Sequence, residues 1–177
     1  THPFAAVMPA RARAACDALG LPRLVLRRPP WTPEPGDDWT EAADAAAAAR
    51  LLAARPAARR ILLTTGLTDL QAFAALADRT LVVRLIRPPD GPLPLPNAHV
   101  VTGRPHADAA AEGALMAAHG IDTLVTKNSG GAAGFGKIAA ARARGAAMVV
   151  LARPPVEPGP AMETVGTAVA WLSANVA

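Results

Sequence analysis

From residue 60 onward, short runs of Leu, Ile and Val alternate with longer stretches in which Ala, Leu and charged residues recur at helical spacing. The apolar runs at 61–64, 80–86, 98–102, 123–126 and 147–151 predict strands, and 68–77, 108–119 and 134–144 predict the helices between them. A strand followed by a crossover helix brings the next strand in along the same direction, which is the right-handed βαβ unit repeated. A parallel sheet in a three-layer α/β sandwich is therefore predicted, with the GPLPLP segment at 91–96 as a surface loop.

The first part of the chain reads differently. Residues 7–19 carry a helical pattern with Pro9 in the first turn and Gly20 just past the end, and 23–26 predicts a short strand. Pro29, Pro30, Pro33 and Pro35 then crowd into residues 27–38 around Trp31, an extended connector that predicts a boundary. Thr40 is placed to N-cap an Ala-rich helix running to residue 54. A second proline-rich connector at 154–160 precedes a final helix at 163–176. The resulting division is residues 1–30 as part of one α/β domain, 40–152 as a second, and 160–177 as a helix docking back on the first.

Composition narrows the function classes. Of the 177 residues 44 are Ala, so the core has to come from Leu, Ile and Val. No apolar run approaches the roughly 20 residues that cross a bilayer, so no membrane partner is expected. Cys16 stands alone, which excludes an internal disulfide and fits a cytoplasmic protein. The net charge of +4 comes from 16 scattered Arg and two Lys, with three Trp, three Phe and no Tyr to stack on bases. No nucleic acid is expected as a partner, whereas a small anionic substrate suits the charge.

In parallel α/β sheets ligands bind at the carboxyl ends of strands, where helix N-termini offer free N–H groups. The segment Thr126-Lys127-Asn128-Ser129-Gly130-Gly131 follows one predicted strand and precedes a helix. Its glycines let the backbone approach a ligand, Asn128 and Ser129 supply short polar groups, and Lys127 is one of two lysines; the same segment also reads as a tight capped turn. Thr64-Thr65-Gly66 holds the equivalent place after an earlier strand, as a ligand contact or a helix cap. Arg84 sits inside an apolar run, where a charge needs an ion pair or a bound anion. His2, before the first helix, is a ligand contact or a turn residue. His99, His106 and His119 lack metal-ligand spacing, so no metal is expected. A G-x-S-x-G elbow and a strand-linked G-x-G-x-x-G are both absent.

In order and spacing, THPFA at 1–5, LRRPPW at 26–31, LTTG at 63–66 with Phe73, VVRLIRPP at 82–89, VTKNSGG at 125–131 and ARP at 152–154 make the chain resemble the precorrin-6A reductase family, including its cobalt-precorrin relatives. The family's amino-terminal strand and GGT-type loop have no counterpart here, and its GRGPF is replaced by Gly103-Arg104-Pro105-His106. The resemblance implies two Rossmann-like three-layer α/β domains with parallel sheets, the first incomplete in this chain, with cofactor and substrate meeting in a cleft. It implies reduction of the macrocycle precorrin-6A to precorrin-6B in cobalamin biosynthesis, with NADPH, or else NADH, as hydride donor. It further implies a tetrapyrrole-derived substrate carrying many carboxylates, and transient contact with neighbouring pathway enzymes. Lys127 is implied as catalytic, His2, Phe4 and Arg84 as substrate-binding, and Thr65, Gly66, Asn128, Ser129, Gly130 and Gly131 as cofactor-binding. Lys137, on the following helix, is expected to contribute little. The competing expectation is a truncated, non-catalytic anion- or nucleotide-binding module; without the glycine-rich loop, NADPH is expected to bind weakly or not at all.

Overall fold

The computed structural model describes residues 2–5, 7–95, 97–156 and 158–175, so Thr1 of the THPFA motif and the end of the last expected helix lie outside the described residues. In chain order the elements are α1 (Val7–Leu19), β1 (Val25–Leu26), β2 (Trp39–Ala42), α2 (Ala45–Ala53), β3 (Arg60–Leu63), a 3-10 segment (Leu67–Phe73), β4 (Thr80–Leu85), β5 (His99–Thr102), α3 (Ala109–Ala118), β6 (Thr123–Lys127), a 3-10 turn (Ala132–Gly134), α4 (Gly136–Ala143), β7 (Ala147–Leu151), β8 (Ala161–Met162) and α5 (Val165–Asn175). The chain divides into two compact units. The first holds Thr1–Trp31, Ser129–Gly131 and Arg153–Ala177; the second holds Thr32–Asn128 and Ala132–Ala152.

The second unit is built on a six-stranded sheet in the order β2-β7-β6-β3-β4-β5, every neighbouring pair parallel. Its inner strands are buried on both faces: Ile61, Leu62, Val82, Leu124, Val125 and Val150 are each at most 1% exposed. That is why they read as continuous apolar runs without alternation. The chain steps from β3 through β4 to β5 in one direction across the sheet, and from β6 to β7 in the other, and crossovers between parallel strands are right-handed as a rule. The two windings require helices on opposite faces. In agreement, α3 packs on α4, and α2 on the 3-10 segment.

Two elements depart from the sequence expectation. Thr40 does not cap a helix; it lies in β2, paired with Val149 of β7, and α2 starts four residues later on Asp44, whose carboxylate accepts from the Ala47 N–H at 2.7 Å. Alanine richness supports a helix without fixing its first turn, which the capping carboxylate decides. The expected helix at 68–77 is the 3-10 segment Leu67–Phe73. A period of three residues stacks Leu70 and Phe73 on one side, and both are fully buried.

In the first unit β1 and β8 form a parallel pair, with Val25 opposite Ala161 and Leu26 opposite Met162. Trp31, 6% exposed, donates its indole N–H to the Gly131 carbonyl at 2.9 Å and so fastens the connector to the glycine loop.

Candidate functional site

Neighbouring strands β3 and β6 start the two opposite windings of the second unit's sheet, so their carboxyl ends form its topological switch point, the place where such sheets bind ligands. Thr64 leaves β3 with its N–H and hydroxyl both donated to the Val125 carbonyl, at 2.9 and 3.1 Å. Thr65 follows, 3% exposed, and its hydroxyl has no hydrogen-bond partner among the described residues. Gly66 comes next at φ 90°, with open space where a Cβ would stand. Across the switch point, Lys127 ends β6 and its ammonium pairs with the Asp69 carboxylate at 2.7 Å. Asp69 belongs to the 3-10 segment after β3, so this ion pair ties the two loops together. Asn128 is 5% exposed, and its N–H donates to the Leu151 carbonyl at 3.0 Å.

Arg84 lies inside the same unit. Its guanidinium reaches both carboxylate oxygens of Glu112 at 2.6 Å, in a pair whose side chains are 5% and 0% exposed. Glu112 also accepts from the His106 N–H at 2.7 Å, which anchors the GRPH loop. Lys137 is buried in this neighbourhood and donates to the Gly134 carbonyl at 3.1 Å. Burial first, and the Arg84 charge second, push its amine down to about 8, against the pull of Glu112. Sequence reasoning missed Asp69 and Glu112. Glu112 and Met116 are the two buried residues of α3 and stand four apart, so its place on the apolar face was the available signal.

Ser129, Gly130 and Gly131 fold with the first unit. The His2 ring accepts from the Phe4 N–H at Nδ1 (3.2 Å) and therefore donates from Nε2 to Ser129 Oγ (3.1 Å) in its neutral form. The Phe4 ring lies 5.9 Å from the imidazole. Gly130 and Gly131 have φ of 64° and 71°, and side chains there would meet the Pro29 carbonyl and the Arg28 stem. Their freedom lets the loop lie against residues 28 and 29. His2, Arg27 and Pro154 line a pocket of about 270 Å³ in this unit.

A switch point of this kind, with a buried unsatisfied hydroxyl and an open glycine turn beside it, is a feature of the class of doubly wound α/β proteins that hold nucleotide-type ligands at strand ends. Comparison with known proteins makes the assignment specific: residues 1–173 match the family model described as precorrin-6x reductase CbiJ/CobK, and the chain belongs to that family of oxidoreductases. A precorrin-6A reductase of Rhodococcus erythropolis is 43% identical over 173 residues, covering 97% of this chain and 68% of the relative. One of Rhodobacter capsulatus is 38% identical, covering 98% and 68%. The solved structure of a CobK precorrin-6A reductase superposes with a TM-score of 0.90 at 37% identity, over 100% of this chain and 70% of the other. Among the described residues no helix is long and apolar enough to cross a membrane.

Proposed function

We propose that the chain reduces precorrin-6A to its dihydro form in cobalamin biosynthesis, with NADPH as the preferred donor. The observation that carries this reading is the chain-long agreement with precorrin-6A reductases, over residues 1–173. A nicotinamide supplies a hydride, and a proton completes the addition across one double bond of the macrocycle. The fit of the second unit to such a cofactor rests on the Thr65 hydroxyl, buried without a partner beside the open turn at Gly66. In this proposal Thr65, Gly66 and Asn128 hold the nicotinamide nucleotide. Lys127, steadied by Asp69, stabilises negative charge on the ligand and does not itself give the hydride. Arg84 keeps β4, α3 and the GRPH loop in place through Glu112. In the first unit the proposed contacts are His2 and Phe4 to the substrate, and Ser129, Gly130 and Gly131 to the cofactor. Residues 1–31, 129–131 and 153–177 form one proposed domain and residues 32–128 with 132–152 the other, and the cytoplasm, where Cys16 stays a thiol, is the proposed compartment.

The test is anaerobic incubation of the purified protein with precorrin-6A and either NADPH or NADH. Loss of the reduced-nicotinamide absorbance together with a product two hydrogens heavier is expected, with kcat/KM higher for NADPH. Tight nucleotide binding without turnover would instead establish the non-catalytic reading.

A further inference from the structure

In the first unit Arg153 feels the charges of both Arg27 and Arg28, and Arg28 and Arg153 lie against the neighbouring glycines 131 and 130. Arg27 follows β1, its backbone N–H bonded to the Met162 carbonyl at 2.8 Å, which places it at the carboxyl end of the parallel pair. Its Nη2 donates to the Pro154 carbonyl at 3.3 Å, while its buried Nε has no hydrogen-bond partner among the described residues. Arg153, next to Pro154, donates to the carbonyls of Arg28 and Pro29 at 2.7 and 3.1 Å. Arg27 also lines the pocket it shares with His2, Pro9 and Pro154, and the first turn of α1, which brings Pro9 there, contains no acidic residue.

We propose that Arg27, backed by Arg28 and Arg153, is an oxyanion subsite of the first unit, taking a carboxylate or phosphate group of a ligand that lies in the pocket beside His2. Like charges held this close repel one another, and Arg153 registers it: burial, then Arg27, then Arg28 lower its affinity for a proton, with Glu163 acting in the opposite sense. A bound oxyanion relieves that repulsion and accepts from the unsatisfied Nε, and a guanidinium fork is the donor best shaped for it. The subsite deepens the proposed reductase function and rests on it for the identity of the ligand: the carboxylate comes from the macrocycle, the phosphate from the nicotinamide nucleotide.

The experiment compares the unmodified protein with R27Q and R27K. The KM values for precorrin-6A, NADPH and NADH are measured, as is calorimetric binding of two probes that need no turnover, inorganic pyrophosphate and mellitate. R27Q is expected to raise one ligand's KM about ten- to a hundredfold at unchanged kcat and to weaken the matching probe. R27K, with the charge but not the fork, is expected to fall between. A rise for precorrin-6A with loss of mellitate assigns the carboxylate. A rise for NADPH alone assigns its additional phosphate, and a rise for both nucleotides with loss of pyrophosphate assigns the pyrophosphate. Folded R27Q with all three KM values and both probe affinities unchanged overturns the subsite, and if R27Q does not fold, the same result in R27K does so. If the unmodified protein turns over no precorrin-6A, the functional reading fails and the probes still decide the subsite: probe binding that R27Q loses supports it, and absent or equal binding overturns it.

Discussion

Thr65 carries two opposite free energies on one hydroxyl. Buried without a partner, that hydroxyl costs the free protein on the order of 1 kcal/mol, which a ligand's hydrogen bond would return. Thr65→Val keeps the shape and removes the polar atom. The free protein is expected to gain about 1 kcal/mol in urea unfolding, while its affinity for NADPH falls several-fold by calorimetry. Unchanged affinity would take Thr65 out of the site. Lys127→Ala is expected to lower kcat/KM ten- to a hundredfold, about 1.4 kcal/mol per decade. Asp69→Asn, which leaves the ammonium but frees it from its anchor, should cost less. Melting temperatures on the same preparations decide between chemistry and structure: a lower Tm with full turnover per folded molecule would make the Lys127–Asp69 pair a strut between loops. Lys127 was legible because a lysine is rare here; its carboxylate was not, because residues 69 and 127 meet only once β3 and β6 lie side by side.

At the scale of elements, β4, α3 and α4 are joined around the buried Arg84–Glu112 pair. Glu112→Gln leaves the guanidinium short of a counter-charge in an apolar interior, and about 3–5 kcal/mol of stability is expected to be lost. The double change Arg84→Met with Glu112→Leu should recover most of it, measured by denaturant unfolding. A double variant no better than the single would show that the charges themselves are needed, for instance to hold the His106 N–H. An arginine inside an apolar strand announced that a partner exists. The sequence left the partner open, since an ion pair and a bound anion satisfy the same charge. The structure pairs Arg84 with Glu112 on the interior side of α3. Helix starts were the least legible feature: in an alanine-rich stretch many registers have similar propensity, and a single hydrogen bond from Asp44 selects one.

For the molecule as a whole, the buried amine of Lys137 links stability to pH. Its folded value is about 8 against the usual 10.5, so between these limits the unfolded chain holds a proton that the folded chain has released. Stability is expected to be level below about pH 8 and to rise from there to about pH 10.5, by on the order of 3 kcal/mol. Lys137→Met should abolish the rise and stabilise the protein at neutral pH; urea midpoints across that range are the measurement, and an unaltered slope in the variant would assign it elsewhere. Asp37 gives a slope of the same sign at the acid end of the range. Its hydrogen bonds to Arg142 hold its carboxyl below the usual range, and the stability it brings is lost as pH falls through that lowered value.

The sequence by itself determined the parallel α/β class, the inner strands, the loops that follow β3 and β6, and the family. Strands buried on both faces must be continuously apolar, and loops between such strands and helices must carry the small and polar residues that leave a signature in one dimension. Tertiary structure alone decided the rest. The strand order β2-β7-β6-β3-β4-β5 sets which loops become neighbours, and from it follow the pairing of Lys127 with Asp69, the burial of Lys137 and the closure of Arg84 on Glu112. It also decided that Ser129–Gly131 folds with residues 1–31 rather than with the strand before it. Partners more than twenty residues apart are chosen by packing, and packing has no one-dimensional period from which they can be read.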